Sequence, residues 1–121
     1  MRILILDDQP KLASILALYL RGVGYQAIGY MDAKLALGEI EKDDVLITDY
    51  HLSETTGLEV ARQAYAQGWR GPLLLMSGHR AAIRESVEHP LLHLFLDKPF
   101  SCLELVNALP ASAEGAKHPK I

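Results

Sequence analysis

The chain has 121 residues, half of them hydrophobic and 22% charged, an ordinary balance for one soluble globular domain with a real core. A net charge of −3 offers no basic face for nucleic acid, and no apolar run approaches the length of a membrane span. The single Cys102 excludes an internal disulfide and suits a reducing cytoplasm, and Met1-Arg2 leads into the first apolar run with no signal-peptide pattern.

Ile3-Leu4-Ile5-Leu6 reads as a buried strand that ends in Asp7-Asp8. Asp7-Asp8-Gln9-Pro10 opens a helix, with Pro10 in the first turn, where its missing N–H does no harm. Leu12, Ile15, Leu16, Tyr19, Leu20 and Val23 follow at helical spacing, and Gly22 and Gly24 mark the stop. Gln26 to Tyr30 reads as a second, weaker strand near a sheet edge. Asp32 is placed as the N-cap of a helix carrying Leu35, Ala36, Leu37 and Ile40, closed by Glu41-Lys42-Asp43-Asp44.

Val45-Leu46-Ile47-Thr48 is the third strand; it ends in Asp49 and meets the turn-rich segment Tyr50 to Gly57. From Gly57 a helix runs through Leu58, Ala61 and Tyr65 to Gly68, and Trp69 reads as a loop anchor over the sheet edge. Leu73 to Met76 is the fourth strand, ending in Ser77. A short polar helix is expected over Arg80 to Glu88, with Ile83 and Val87 as its stripe and His89-Pro90 as its end. The fifth strand, Leu92 to Leu96, ends in Asp97-Lys98-Pro99. Ser101-Cys102-Leu103-Glu104 matches a capping box, and Leu103, Val106 and Leu109 form the inner face of the last helix, where Cys102 acts as a small hydrophobe. Residues 110–121 are small and polar and read as a flexible tail, leaving 1–109 as the domain.

Strand and helix alternate five times, which predicts an α/β fold with a parallel sheet and helices on both faces. Ligands of such sheets bind beyond the carboxyl ends of the strands, where strand order reverses. Asp7, Asp8, Asp49, Ser77 and Lys98 all fall at that edge. Two carboxylates about 4 Å apart repel by roughly 4 kcal/mol at an effective dielectric near 20, so three need a cation, a lysine or protonation. Oxygen ligands suit Mg²⁺, which keeps several waters and takes one or two carboxylates plus a phosphate oxygen. Lys98 then meets one phosphoryl oxygen and the Ser77 hydroxyl another. Asp49, alone at the end of a central strand, is the candidate nucleophile, with Asp7 and Asp8 as metal ligands.

In this order and at these spacings, Asp7-Asp8, Asp49 with Gly57 eight residues on, Ser77 and Lys98-Pro99-Phe100 resemble the receiver domain of two-component response regulators, from Arg2 to Leu109. The resemblance implies a flavodoxin-like (βα)5 doubly wound fold with strand order 2-1-3-4-5. It implies that Asp49 accepts a phosphoryl group from a histidine kinase or histidine phosphotransfer protein. Asp8, Asp49 and the His51 backbone carbonyl would bind Mg²⁺ directly, with Mn²⁺ as a substitute, and Asp7 would bind through water. Ser77 would be the switch hydroxyl, Lys98 its ion-pair partner, Lys98-Pro99 a cis peptide, and Phe95 the aromatic switch position. The face of the fourth helix, fifth strand and fifth helix is the family's output surface, with homodimerisation on phosphorylation left open. No nucleic acid or membrane contact is expected, and the native-looking Met1 suggests a stand-alone or N-terminal receiver.

Ser53, Gly78 and Leu91-Leu92 depart from the family's usual proline, alanine and Gly-Ala. His51 and His79 follow the acceptor and switch residues by two positions, which the resemblance implies flank the phosphoryl group and tune its lifetime; solvated loop histidines explain them equally well. The five histidines lack metal-ligand spacing, so no zinc site is expected. Two rivals remain: a phosphorylation-independent interaction module of the same fold, and a small phosphatase with an aspartyl nucleophile. The first predicts a broken acidic site, and the second an Asp-x-Asp pattern that Asp7-Asp8-Gln9 does not supply.

Overall fold

The four residues Ile3 to Leu6 are wholly buried, as a strand must be when helices cover both faces of its sheet. A computed structural model describes residues 2–78 and 90–110. The elements are β1 (Arg2–Leu6), α1 (Pro10–Gly22), β2 (Gln26–Tyr30), α2 (Ala33–Glu39), β3 (Val45–Asp49), α3 (Gly57–Ala66), β4 (Leu73–Ser77), β5 (Leu92–Asp97) and α4 (Cys102–Ala108). All strand pairs are parallel, in the order β2-β1-β3-β4-β5. The flavodoxin-like order and the edge position of β2 are as expected. The helix expected over Arg80 to Glu88, His79 and the tail from Ala111 on lie outside the described residues.

Alternate strand residues feed two cores. Ile3, Ile5, Ile47, Leu74 and Met76 pack with α1 and α4; Leu4, Leu6, Leu46, Leu73 and Leu75 pack with α2 and α3. Local signals set the helix starts. The Asp32 side chain accepts the Lys34 N–H at 2.9 Å, Thr56 caps α3, and both halves of the Ser101–Glu104 capping box form. Gly24 and Gly68, at φ 107° and 110°, take the left-handed conformation just past α1 and α3.

The inward assignment of Leu103 is corrected, and two other apolar helix positions also turn outward. Ile15, Leu35 and Leu103 face solvent. In α1 the buried stripe is Ala13, Leu16, Ala17 and Leu20, because the helix approaches the sheet through its alanines. Gly29 lies so close there that a Cβ on it would sit 2.9 Å from the Ala13 carbonyl oxygen. In α4 the inner face is Leu105, Val106 and Leu109, with Cys102 half-buried beside them. Trp69 does anchor its loop, but from within the core: its indole N–H donates to the Asp44 carbonyl at 2.7 Å.

Candidate functional site

Strand order reverses between β1 and β3, and the loops leaving those two strands carry Asp7, Asp8 and Asp49. Asp7 is fully buried and fixed from two sides. Its N–H donates to the Tyr30 carbonyl at 3.0 Å, and its Oδ1 accepts the Gln9 N–H at 2.9 Å, a local turn that leads into α1. Its Oδ2 lies 3.3 Å from Lys98 Nζ. The same Nζ lies 3.3 Å from Asp49 Oδ1, so one ammonium bridges the ends of β1 and β3. Asp8 is half-buried, and oxygens of Asp7, Asp8 and Asp49 lie within 4.8 Å of one another.

Three carboxylates against one lysine leave the cluster formally two charges negative. Burial raises the Asp49 pKa above its ordinary value; Lys98 opposes the rise, and the Asp7 and Asp8 charges add to it. All three donors are carboxylate oxygens, a set that fits a hard divalent cation such as Mg²⁺ and not a soft one. A cleft of about 460 Å³ opens beside the cluster, lined by Asp8, Met31, Lys34, Leu52, Glu54 and Thr55 among others.

The other sequence candidates gather unevenly around this cluster. Ser77 is buried at the end of β4, one residue past the Asp49–Met76 pair, and its carbonyl accepts the Lys98 N–H at 2.8 Å. The Lys98-Pro99 peptide is cis. Phe95 is half-buried and pairs with Leu75, two residues before the Ser77–Asp97 pair and on the same sheet face. His51 is exposed, with its ring edge-on to Tyr50 at 4.9 Å. It is bridged to Thr56, and both bonds of that bridge are made by the flanking residues, Leu52 N–H to Thr55 and Gly57 N–H to Tyr50.

Sequence reasoning missed the backbone groups that hold these acids. The Gln9 N–H had a local signal, an Asp two residues ahead of it at a helix start. The Tyr30 carbonyl had none, because it depends on how strands and helices stack, and the packing of Gly57 against the Asp49 carbonyl was marked only by the spacing of the two residues.

A sequence model of the family described as "Response regulator receiver domain" matches residues 3–110. The regulatory protein VanR of Enterococcus faecium is 30% identical over 113 residues, which is 91% of this chain and 48% of that protein. The alkaline phosphatase synthesis transcriptional regulatory protein PhoP of Bacillus subtilis is 31% identical over 110 residues, 88% of this chain and 45% of that one. The chain thus spans about half the length of the curated relatives it matches. Among solved structures, the response regulator TrrA of Thermotoga maritima, in complex with Mg²⁺ and BeF, superposes with a TM-score of 0.72 at 24% identity, covering 88% of this chain and 93% of that one. A response regulator of Burkholderia pseudomallei with a phosphorylated aspartic acid and a calcium ion gives 0.79 at 24% identity, covering 94% and 69%. At these identities the structural likeness is one of fold.

Proposed function

The chain belongs to the response regulator receiver domain family, and on that premise we propose that it is a phosphoacceptor in which Asp49 takes a phosphoryl group from a histidine kinase or histidine phosphotransfer protein. Receiver domains are signalling modules rather than enzymes, so the modified carboxylate is itself the output. One observation carries the reading: Lys98 Nζ stands 3.3 Å from both Asp7 and Asp49, while three carboxylates crowd one ammonium. That leaves negative charge for a divalent cation and a cationic donor for a phosphoryl oxygen.

An Asp49 carboxylate oxygen attacks phosphorus; the P–N bond to the donor imidazole breaks as the new P–O bond forms, and the imidazole leaves with the bonding pair. Bound Mg²⁺, or Mn²⁺ in its place, would neutralise charge on the phosphoryl oxygens. Asp8, Asp49 and the His51 carbonyl would hold it directly, and Asp7 through water. Lys98 pairs with one phosphoryl oxygen, and the Ser77 hydroxyl donates to another. Drawing Ser77 toward the phosphoryl group disturbs the sheet face it shares with Phe95, so Phe95 is the aromatic that reports the modified state. Loss of the phosphoryl group to water, a cytoplasmic setting, and an output partner or second copy on the β5–α4 face complete the proposal, with residues 1–109 as the working unit.

The test is incubation with acetyl phosphate and Mg²⁺ followed by intact mass. The expected result is one phosphoryl adduct, absent in Asp49→Asn and lost on removing the metal. Turnover of a phosphoester with no adduct and no dependence on Asp49 would replace this reading with a phosphatase.

A further inference from the structure

We infer that Gly57 is a positioning residue for Asp49: its bare Cα is the surface against which the phosphoacceptor's backbone is set. A Cβ built at Gly57 would land on the Asp49 carbonyl oxygen, and would also meet Thr48 Cγ2 at 2.8 Å and Thr48 Oγ1 at 3.0 Å. The Thr48 hydroxyl, beside that same position, donates to the Asp49 carbonyl at 3.0 Å. The same glycine ties the acid to the neighbouring strand. Its N–H donates to the Tyr50 carbonyl at 2.7 Å, and the Tyr50 N–H donates to the Met76 carbonyl at 2.7 Å, next to Ser77. Any side chain at position 57 must therefore push the end of β3 away from α3, carrying Asp49 off its 3.3 Å approach to Lys98 and away from Asp7 and Asp8.

Gly71 is the internal control. A Cβ there would land on the Asp44 carbonyl oxygen just before β3 begins, the same kind of collision at the opposite end of the same strand. Loss of stability is common to both positions, and displacement of Asp49 belongs to one. The inference rests on the phosphoacceptor reading for its purpose, but its test reads metal affinity directly.

The experiment titrates Mg²⁺ into the 121-residue wild type, Gly57→Ala and Gly71→Ala, following backbone amide shifts, and records urea unfolding of each without metal. The expected result is a loss of stability in both variants. The Mg²⁺ dissociation constant should rise about 10- to 100-fold in Gly57→Ala, as when a group orienting a ligand is lost. In Gly71→Ala it should stay within about twofold of wild type, as distant sites do. Adding Thr48→Ser to Gly57→Ala removes the Cγ2 contact, keeps the hydroxyl, and should leave Mg²⁺ affinity low. Recovery of affinity in that double variant would overturn the inference, since the collision would then be with Thr48. Equal affinity loss in Gly71→Ala would do the same. If Gly57→Ala fails to fold, the double variant carries the titration; failure of both makes Gly57 a folding requirement and rejects the positioning role. Wild type that binds Mg²⁺ with this dependence yet takes no phosphoryl group would leave the inference standing and remove the phosphoacceptor reading.

Discussion

β3 has a buried or half-buried aspartate at each end, and the two live in opposite circumstances. Asp44, just before the strand, accepts from Arg2 Nε at 3.3 Å, Arg2 Nη2 at 2.8 Å and the Glu41 N–H at 2.7 Å. Its carbonyl takes the Trp69 indole, and Gly71 packs against it. Asp49, at the other end, shares one lysine with Asp7 and has the carboxylate oxygens of Asp7 and Asp8 within 4.8 Å. A buried acid with every oxygen matched fastens the chain. An acid placed among unneutralised like charges costs stability and keeps a place for a cation or a phosphoryl group.

The largest effect that could break this contrast is at the fastened end. Asp44→Ala leaves Arg2 with the Glu39 carbonyl and the exposed Glu41 carboxylate at 3.9 Å, and leaves the Glu41 N–H without its acceptor; it should cost about 3 kcal/mol in urea unfolding, the low end for a broken buried pair because Arg2 is partly solvated. Phosphoryl acceptance at Asp49 should survive in the folded fraction. A cost below about 0.5 kcal/mol, the range of ordinary surface changes, would make the Arg2–Asp44 pair incidental.

At the charged end the sign should reverse. Asp8→Asn removes one of three crowded carboxylates, so the metal-free protein should gain about 1 kcal/mol in the same assay, a fraction of the bare repulsion at that spacing. Destabilisation instead would mean that Asp8 is as well matched as Asp44. The smallest effect is in pH. Because burial raises the Asp49 pKa in the folded state, its favourable contribution is fully present below the unfolded value and is lost as pH rises through the raised folded one. Metal-free wild type should therefore lose stability across that window relative to Asp49→Asn. Parallel pH profiles for the two proteins would contradict the crowding.

Much of this was legible in sequence because Asp7, Asp49, Ser77 and Lys98 each stand at or just beyond the end of an apolar run, and alternation of strand and helix forces such ends to one edge. The helix faces were less legible. Leu103, Leu105 and Val106 offer two overlapping stripes, and only the packing of α4 into the core it shares with α1 selects Leu105. Ile15 lost to Ala13 and Ala17 because close packing on Gly29 rewards small residues, which a stripe of large apolar ones does not anticipate. The Arg2–Asp44 pair had no signal: its members lie 42 positions apart inside segments that read as a strand start and a polar helix end.

The most direct measurement of the central claim is the Mg²⁺-induced rise in melting temperature of wild type, Asp44→Ala and Asp49→Asn. The account predicts the same rise in wild type and Asp44→Ala, and little or none in Asp49→Asn. An undiminished rise in Asp49→Asn, or its loss in Asp44→Ala alone, would contradict the assignment of the open charge to the carboxyl end of β3.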